Sequence, residues 1–243
     1  MKRMKVAFFA EVLEKDIDGA CRTMFQLIDR IDSSLFEFLF VCSTGPATIQ
    51  GFECVHVPAV TLPVNTSYKM ALPGLAQQHL CDRLQAFQPE VIHIATPSLL
   101  GNFAMKYALK QHIPVLSIYH TYFISYIDYY LKHIPFLIHS VKQTVTEGQR
   151  VFYNQCSLIY VPSETMQTEL LNMGVQQCKM KLWQRDIDST LFSPEKNVLA
   201  GMEEQDAQQN WRELANTYFN DLLFLARSQP KVNTSKPLYY EAS

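Results

Sequence analysis

The sequence predicts an α/β fold, a Rossmann-like doubly wound parallel sheet, and three observations predict it. Short, predominantly apolar runs recur along the chain: KVAFFA at 5–10, FEFLFVC at 36–42, EVIHIA at 90–95, PVLSIY at 114–119 and SLIYV at 157–161. Such near-continuous apolarity marks strands buried on both faces. Helical patterns separate these runs, and repeated strand–helix alternation implies a parallel sheet with right-handed crossovers. Polar clusters then collect just after the strand ends, where open α/β sheets bind their ligands. The fullest is IPVLSIYHTYFISYIDYY (113–130), in which His120, Thr121 and Tyr122 follow a buried strand directly.

The elements follow in order. After the first strand, the loop EVLEKDIDG (11–19) leads into a helix over about 20–31, with Ala20, Met24, Leu27, Ile28 and Ile31 on one face. Asp18 suits the N-cap and Gly19 the turn before it. ECVHV (53–57) is a strand beyond the turn region STGPATIQG. From Pro58 to Pro73 three prolines predict an irregular, functional or mobile loop. Helices are expected over about 73–87, 99–110, 123–132 and 136–154, and from an N-cap at Ser163 up to Met173-Gly174. KMKLW (179–183) closes the unit as a last strand. After Pro194 a helix carrying Trp211, Leu214, Ala215 and Tyr218 is followed by NDLLFLA (220–226), which reads as the first strand of something new. The expected organisation is therefore one Rossmann-like domain over 1–195, then a linker helix and the start of a second domain over 196–243.

Bulk properties narrow the function. With 243 residues, 48% hydrophobic and 18% charged, the chain can bury a sizeable core. A net charge of -2 gives no argument for nucleic acid as a partner. The six cysteines, Cys21, Cys42, Cys54, Cys81, Cys156 and Cys178, form no CxxC pair and read as reduced, buried thiols of a cytoplasmic protein. The apolar run near the N-terminus is too short for a signal peptide, and no run of about 18 apolar residues could span a membrane. GxSxG and Walker-type signatures are absent, so a hydrolase or kinase has no support. His93 and His133 lack partner spacing, and with HxH and HExxH also missing no protein metal site is expected.

Three stretches carry the candidate chemistry. Asp18-Gly19-Ala20, between the first strand and its helix, sets backbone N–H groups and a positive helix end at the crevice, a place for phosphate or leaving-group charge. An ordinary capped turn looks the same in sequence, and Arg22 there could pair with an anion or with Asp18. Tyr126, Tyr129 and Tyr130 stand at helical spacing that serves packing as readily as ligand binding. Residues 131–152 combine Lys132, His133, His139, Lys142 and Arg150 with an apolar face; this suits an anionic membrane surface or a packed helix with solvated charges.

Six ordered stretches together resemble a known family: VAFFAEVLEKDIDGACRT, VPAVTLPVNTSYKMALP, EVIHIATPSLLG, IPVLSIYHTYFISYIDYY, VPSETMQTELLNMGV and LWQRDIDSTLFSP. They are similar to the N-terminal half of retaining glycosyltransferases with two facing Rossmann-like domains. The similarity is to the family-4 branch of α-mannosyltransferases and sulfoquinovosyl- or glucosyl-diacylglycerol synthases, and it covers about residues 5–195. Departures are Ala20-Cys21 in place of a valine pair, Asp186 in place of the glycine after Arg185, and Val64-Asn65 where an aromatic is common.

The resemblance implies a B-type glycosyltransferase fold and hexosyl transfer, with retention, from a nucleoside-diphosphate sugar to a lipid or glycan hydroxyl, without a cofactor. It implies that His120 meets the transferred sugar as the catalytic residue, and that Asp18, Gly19, Arg22, Thr121, Tyr122 and Tyr126 bind substrate. Arg185, and Arg227 with Lys231 where the family's basic pair begins, are the implied donor contacts. The family's acidic donor motif is missing, so the chain alone is expected to be inactive, or to be completed by a separate donor-binding polypeptide. The alternative is a non-catalytic Rossmann-like interaction domain. Localisation is expected to be cytoplasmic, with peripheral membrane contact through 131–152.

Overall fold

A computed structural model describes residues 2–15, 17–62, 65–119, 135–184 and 200–228, of which 62, 65–68, 135–138 and 200–207 by backbone alone. In chain order the strands are β1 (Met4–Phe9), β2 (Phe36–Cys42), β3 (Thr48–Ile49), β4 (Phe52–His56), β5 (Ala59–Leu62), β6 (Asn65–Ala71), β7 (Val91–Ile94), β8 (Val115–Ile118), β9 (Leu158–Val161) and β10 (Met180–Leu182). The helices are α1 (Gly19–Ile28), α2 (Gln77–Phe87), α3 (Leu99–Gln111), α4 (Pro135–Gln155), α5 (Glu164–Asn172) and α6 (Ala200–Arg227).

One eight-stranded sheet runs in the order β10-β9-β8-β7-β1-β2-β4-β3, parallel throughout except where β3 turns back on β4. The chain leaves β1 toward β2 and β4, then crosses back to β7 on the other side. The strand order therefore reverses between β1 and β7, and the crevice of a doubly wound sheet opens at such a reversal.

Strand periodicity divides the interior into two cores. Val6 and Phe8, with Phe36, Phe38 and Phe40, face α1 and α6, while Ala7, Phe9, Leu39 and Val41 face the side packed by α2, α3, α4 and α5. Both faces are covered, which is why these strands lack apolar–polar alternation.

The structure corrects two expectations. The described residues between 58 and 73 are mostly regular: β5 and β6 pair as an antiparallel ribbon, with Ala59 opposite Ala71 and a register shift at Thr61/Leu62. The ribbon forms its own two-stranded sheet, so its residues never acquire the two-sided apolar pattern that marks the main strands. Residues 220–226 are also not a strand. They are the last turns of α6, where Ala215, Tyr218 and Leu222 are buried on the first core. A short apolar run does not distinguish a strand from a buried helical segment. Here the preceding helix simply continues, with spacings of three, four and four from Trp211 through Leu214, Tyr218 and Leu222. The residues expected to open a second domain thus complete the first core.

Five of the six cysteines are buried and Cys178 is exposed. Burial raises the Cys21 thiol to about 12, with Asp18 adding to the effect, and burial also pushes the Cys156 thiol up. A neutral aromatic disulfide reagent at pH 8 is accordingly expected to modify one thiol quickly, lost in Cys178→Ser, and the others only as the fold opens. A second rapid equivalent in Cys178→Ser would contradict this burial pattern.

Candidate functional site

The walls of the crevice are the turns that follow β1 and β7. After β1, Asp18 adopts an extended conformation (φ -152°) and its Oδ1 accepts from Cys21 N at 2.7 Å, capping α1 as expected. Thr23 Oγ1 donates back to Gly19 O at 2.9 Å, and the Cys21 thiol donates to Val12 O at 3.7 Å. The first turn of α1 is therefore tied to the loop that delivers it. After β7, Ser98 Oγ accepts from Gly101 N at 3.1 Å and caps α3. Two capped helix starts flank the reversal point.

The two glycines in these turns play opposite parts. A Cβ at Gly101 would lie 2.0 Å from Thr96 O and 3.0 Å from Ile94 Cγ2, so only glycine lets α3 approach the end of β7. A Cβ at Gly19 would meet nothing within 4 Å. Gly19 is exposed and at the first position of α1, so neither packing nor backbone conformation requires it to be glycine. Gly19→Ala is expected to leave folding stability within about 0.5 kcal/mol of the parent, as surface changes usually do. Urea unfolding would check this; a loss above about 1 kcal/mol would show that the turn needs glycine for its own structure.

Glu11, beside these turns, was not singled out by the sequence. It follows β1, is 3% exposed, and its Oε2 accepts from Ala71 N at 2.9 Å. Its carbonyl accepts from Ser43 N and Ser43 Oγ. One carboxylate thus joins the end of β1 to the β5–β6 ribbon, while Oε1 is buried without a hydrogen-bond partner among the described residues. The only sequence signal was a carboxylate immediately after a fully apolar strand, which reads equally as the start of a loop.

The remaining site residues are placed unevenly. Asp18, Gly19 and Arg22 share the start of α1; Arg22 is exposed, and its backbone N donates to Asp18 O at 3.0 Å. Among the described residues no ion pair joins the Arg22 and Asp18 side chains. His120, Thr121, Tyr122, Tyr126, Arg185 and Lys231 lie outside the described residues, as do Tyr129 and Tyr130. Arg227 ends α6 in a shallow groove with Lys2, Arg3, Met4 and Glu90. Those neighbours begin β1 and β7, so Arg227 stands at the amino edge of the sheet, opposite the Asp18 turn. The structure does not bring it to the crevice, because residues 220–226 continue α6 down the sheet face instead of starting a new strand.

The basic stretch expected over 131–152 belongs in its described part to α4. Gln149, Phe152 and Tyr153 are buried, and Arg150 Nε donates to Glu147 Oε2 at 2.8 Å. The Arg150 guanidinium holds the Glu147 carboxyl below its ordinary value. Among the described residues no helix is long and apolar enough to cross a membrane.

A two-sided α/β sheet whose strand order reverses between β1 and β7 is the architecture of a doubly wound, Rossmann-like domain. The signature of Glycosyltransferase Family 4 matches residues 17–191, most of the chain, and the protein belongs to that family. It is similar to a GDP-mannose-dependent alpha-mannosyltransferase of Corynebacterium glutamicum, with 25% identity over 207 residues, covering 82% of this chain and 47% of that protein. It is also similar to the sulfoquinovosyl transferase SQD2 of Arabidopsis thaliana, with 22% identity over 195 residues, covering 79% of this chain and 37% of that protein. The chain thus spans about half the length, or less, of these relatives. Among solved structures it resembles Anabaena Alr3699/HepE in complex with UDP, with a TM-score of 0.50 and 12% identity over 83% of this chain and 50% of that one, a likeness of fold.

Proposed function

We propose that this chain forms the acceptor-side wall of a retaining glycosyltransferase that moves a hexose from a nucleoside-diphosphate sugar to a lipid or glycan hydroxyl. The observation that carries the reading is Gly19. It stands at the capped start of α1, beside the point where the strand order reverses, with open space where a side chain would be. Family membership supports the same reading. An uncapped N–H group and the positive helix end favour negative charge there, which suits a departing diphosphate. Catalysis would come mainly from positioning and from stabilising that charge. His120 would face the transferred sugar, and Thr121, Tyr122 and Tyr126 the acceptor, as the resemblance implies.

In this reading the crevice is one wall of a site. Arg185 and Lys231 remain proposed donor contacts, whereas Arg227 is withdrawn because of its position. Most donor affinity would belong to a second Rossmann-like unit, in the same polypeptide or in a separate one. A polypeptide of these 243 residues is accordingly expected to give no sugar transfer from uridine- or guanosine-diphosphate hexoses to a lipid extract. Measurable transfer would overturn the one-wall arrangement.

Amide NMR tests the site itself. Titration with a nucleoside-diphosphate sugar should shift the backbone amides of 18–22 and of 98–101, weakly and saturably. Gly19→Val should abolish the response at 18–22 while leaving the rest of the spectrum in place. Shifts confined to other parts of the sheet, or none up to millimolar ligand, would refute the assignment.

A further inference from the structure

The described residues contain one grouping of three metal-ligating side chains, and it lies away from the α1 turn: Cys42, Cys54 and His56, whose donor atoms all fall within 4.8 Å of one another. Strand register produces the grouping. In the parallel pair β2–β4, Cys42 is opposite His56 and Phe40 is opposite Cys54. Side chains alternate along a strand, so residues 54 and 56 share a face with 42. Cys42 and Cys54 are buried in the first core with their sulfurs 3.3 Å apart. His56 is exposed and gives the cluster its opening to solvent.

One nitrogen of the imidazole is held by the neighbouring turn. Its Nε2 lies 2.9 Å from Gly45 O, and a carbonyl can only accept, so Nε2 carries the proton. Nδ1 of the neutral ring then keeps its lone pair. Metal-ligating histidines are commonly fixed in this way, one nitrogen donating to a carbonyl and the other binding the metal. Gly45 also lets the neighbouring turn close over the sulfur, since a Cβ there would lie 3.0 Å from both Cys42 Sγ and Leu13 O.

A disulfide accounts for the close sulfurs less well. Cys42 and Cys54 are diagonal, two residues out of register on adjacent strands. Standard strand spacing and rise put their Cα atoms about 8 Å apart, beyond the roughly 7 Å that a disulfide tolerates without backbone movement. A bound cation needs no such approach. Two sulfurs on one tetrahedral zinc are about 3.8 Å apart from Zn–S bonds near 2.3 Å, so these thiols would part by about half an ångström.

We propose that Cys42, Cys54 and His56 form a binding site for a thiophilic divalent cation of the zinc type, with a fourth position open to water. Two thiolates and one imidazole favour such an ion over magnesium, calcium or manganese. Binding would release the two thiol protons to solvent, leaving two sulfur–metal bonds and one nitrogen–metal bond. The ion would fasten the carboxyl ends of β2 and β4 beneath Leu13, in the loop that leads to Asp18-Gly19. Its role is therefore structural support of one crevice wall, outside the reaction.

Cobalt(II) as the probe gives a direct test on the reduced, chelator-treated chain. One equivalent should produce thiolate-to-cobalt charge-transfer absorption and tetrahedral d–d bands, both displaced by one equivalent of zinc(II). Cys54→Ser should lose the charge-transfer intensity. His56→Gln, at an exposed position, should weaken binding at least tenfold. Cys178→Ser should change nothing. Absence of the bands in the parent chain, or unchanged spectra in both His56→Gln and Cys54→Ser, would overturn the site. Aerobic loss of two mass units with no uptake of metal would overturn it in favour of the disulfide. Should Cys54→Ser not fold, His56→Gln alone decides.

Discussion

Trp183→Ala is expected to destabilise the protein by about 3–5 kcal/mol, the range for removing a fully buried large aromatic. That is a large share of the roughly 5–15 kcal/mol by which domains are stable. Trp183 is 1% exposed and follows β10 directly. Its ring stacks on Tyr160 at 5.2 Å and meets Trp211 edge-on at 5.8 Å. Its indole N–H donates to Leu214 O at 3.2 Å, a carbonyl of α6. One side chain therefore joins the last strand of the sheet to the helix that closes the first core.

Beside it, Asp221 Oδ2 accepts from Tyr160 Oη at 2.5 Å and from Lys181 Nζ at 2.6 Å. Burial raises the Tyr160 phenol above its ordinary value, and Asp221 adds to this, so the phenol stays protonated as a donor. The loss in Trp183→Ala should thus include partial release of α6. In urea unfolding the variant should show a lower midpoint, and proteolysis should first cut within 200–228. Trp183→Phe separates the contributions, because it keeps a six-membered aromatic ring in the core while removing the N–H donor and part of the indole. Its cost should be nearer about 1 kcal/mol, apart from any residual cavity. Equal losses for Phe and Ala would mean that the hydrogen bond, not the packing, holds α6.

Legibility in the sequence followed burial symmetry. β1, β2, β7, β8 and β9 are buried on both faces, and each appears as a predominantly apolar run within a residue or two of its observed limits. The caps at Asp18, Ser98 and Ser163 reflect local chemistry, a side-chain oxygen meeting an N–H three residues on; two of them were named from the sequence. The β5–β6 ribbon was not legible, since its partner is only itself and its prolines suggest a break. Nor was the end of α6, because LLFLA has the same apolarity whether it lies in a sheet or against one.

The site divided along similar lines. The Asp18 turn was visible because a strand, a cap and a helix are adjacent in sequence. Glu11 and the Cys42–Cys54–His56 cluster were not, because tertiary pairing sets their partners: Ala71, distant in the chain, for Glu11, and the register of β2 beside β4 for the thiols. Arg227 failed for the complementary reason. Its place in a sequence pattern presumed a new strand, and the helix carried it to the opposite edge of the sheet.

Gly101→Ala is the other substitution with a large expected effect, and two magnitudes compete to set its sign. In a helix interior, alanine is favoured over glycine by about 1 kcal/mol. At Gly148, in α4, an added Cβ meets nothing within 4 Å, so Gly148→Ala should gain most of that amount. At Gly101 the new methyl would lie 2.0 Å from the carbonyl oxygen of Thr96, a separation real structures do not hold. The opposing atom is backbone and cannot rotate away, so α3 or the turn before it must move. Overpacking of that kind costs about 1–3 kcal/mol, sometimes more, and it exceeds the propensity gain. A net loss of at least about 1–2 kcal/mol is expected, measured by urea unfolding beside Gly148→Ala and Gly19→Ala. The displacement also has a direction, because Ser98 and Thr96 form the turn at the carboxyl end of β7. Gly101→Ala should therefore perturb the amides of 96–101 in the folded protein and weaken any ligand response there, even in conditions where the fold is intact. A stabilised Gly101→Ala would show that α3 approaches the sheet less closely than these contacts require, and the crevice wall after β7 would have to be redrawn.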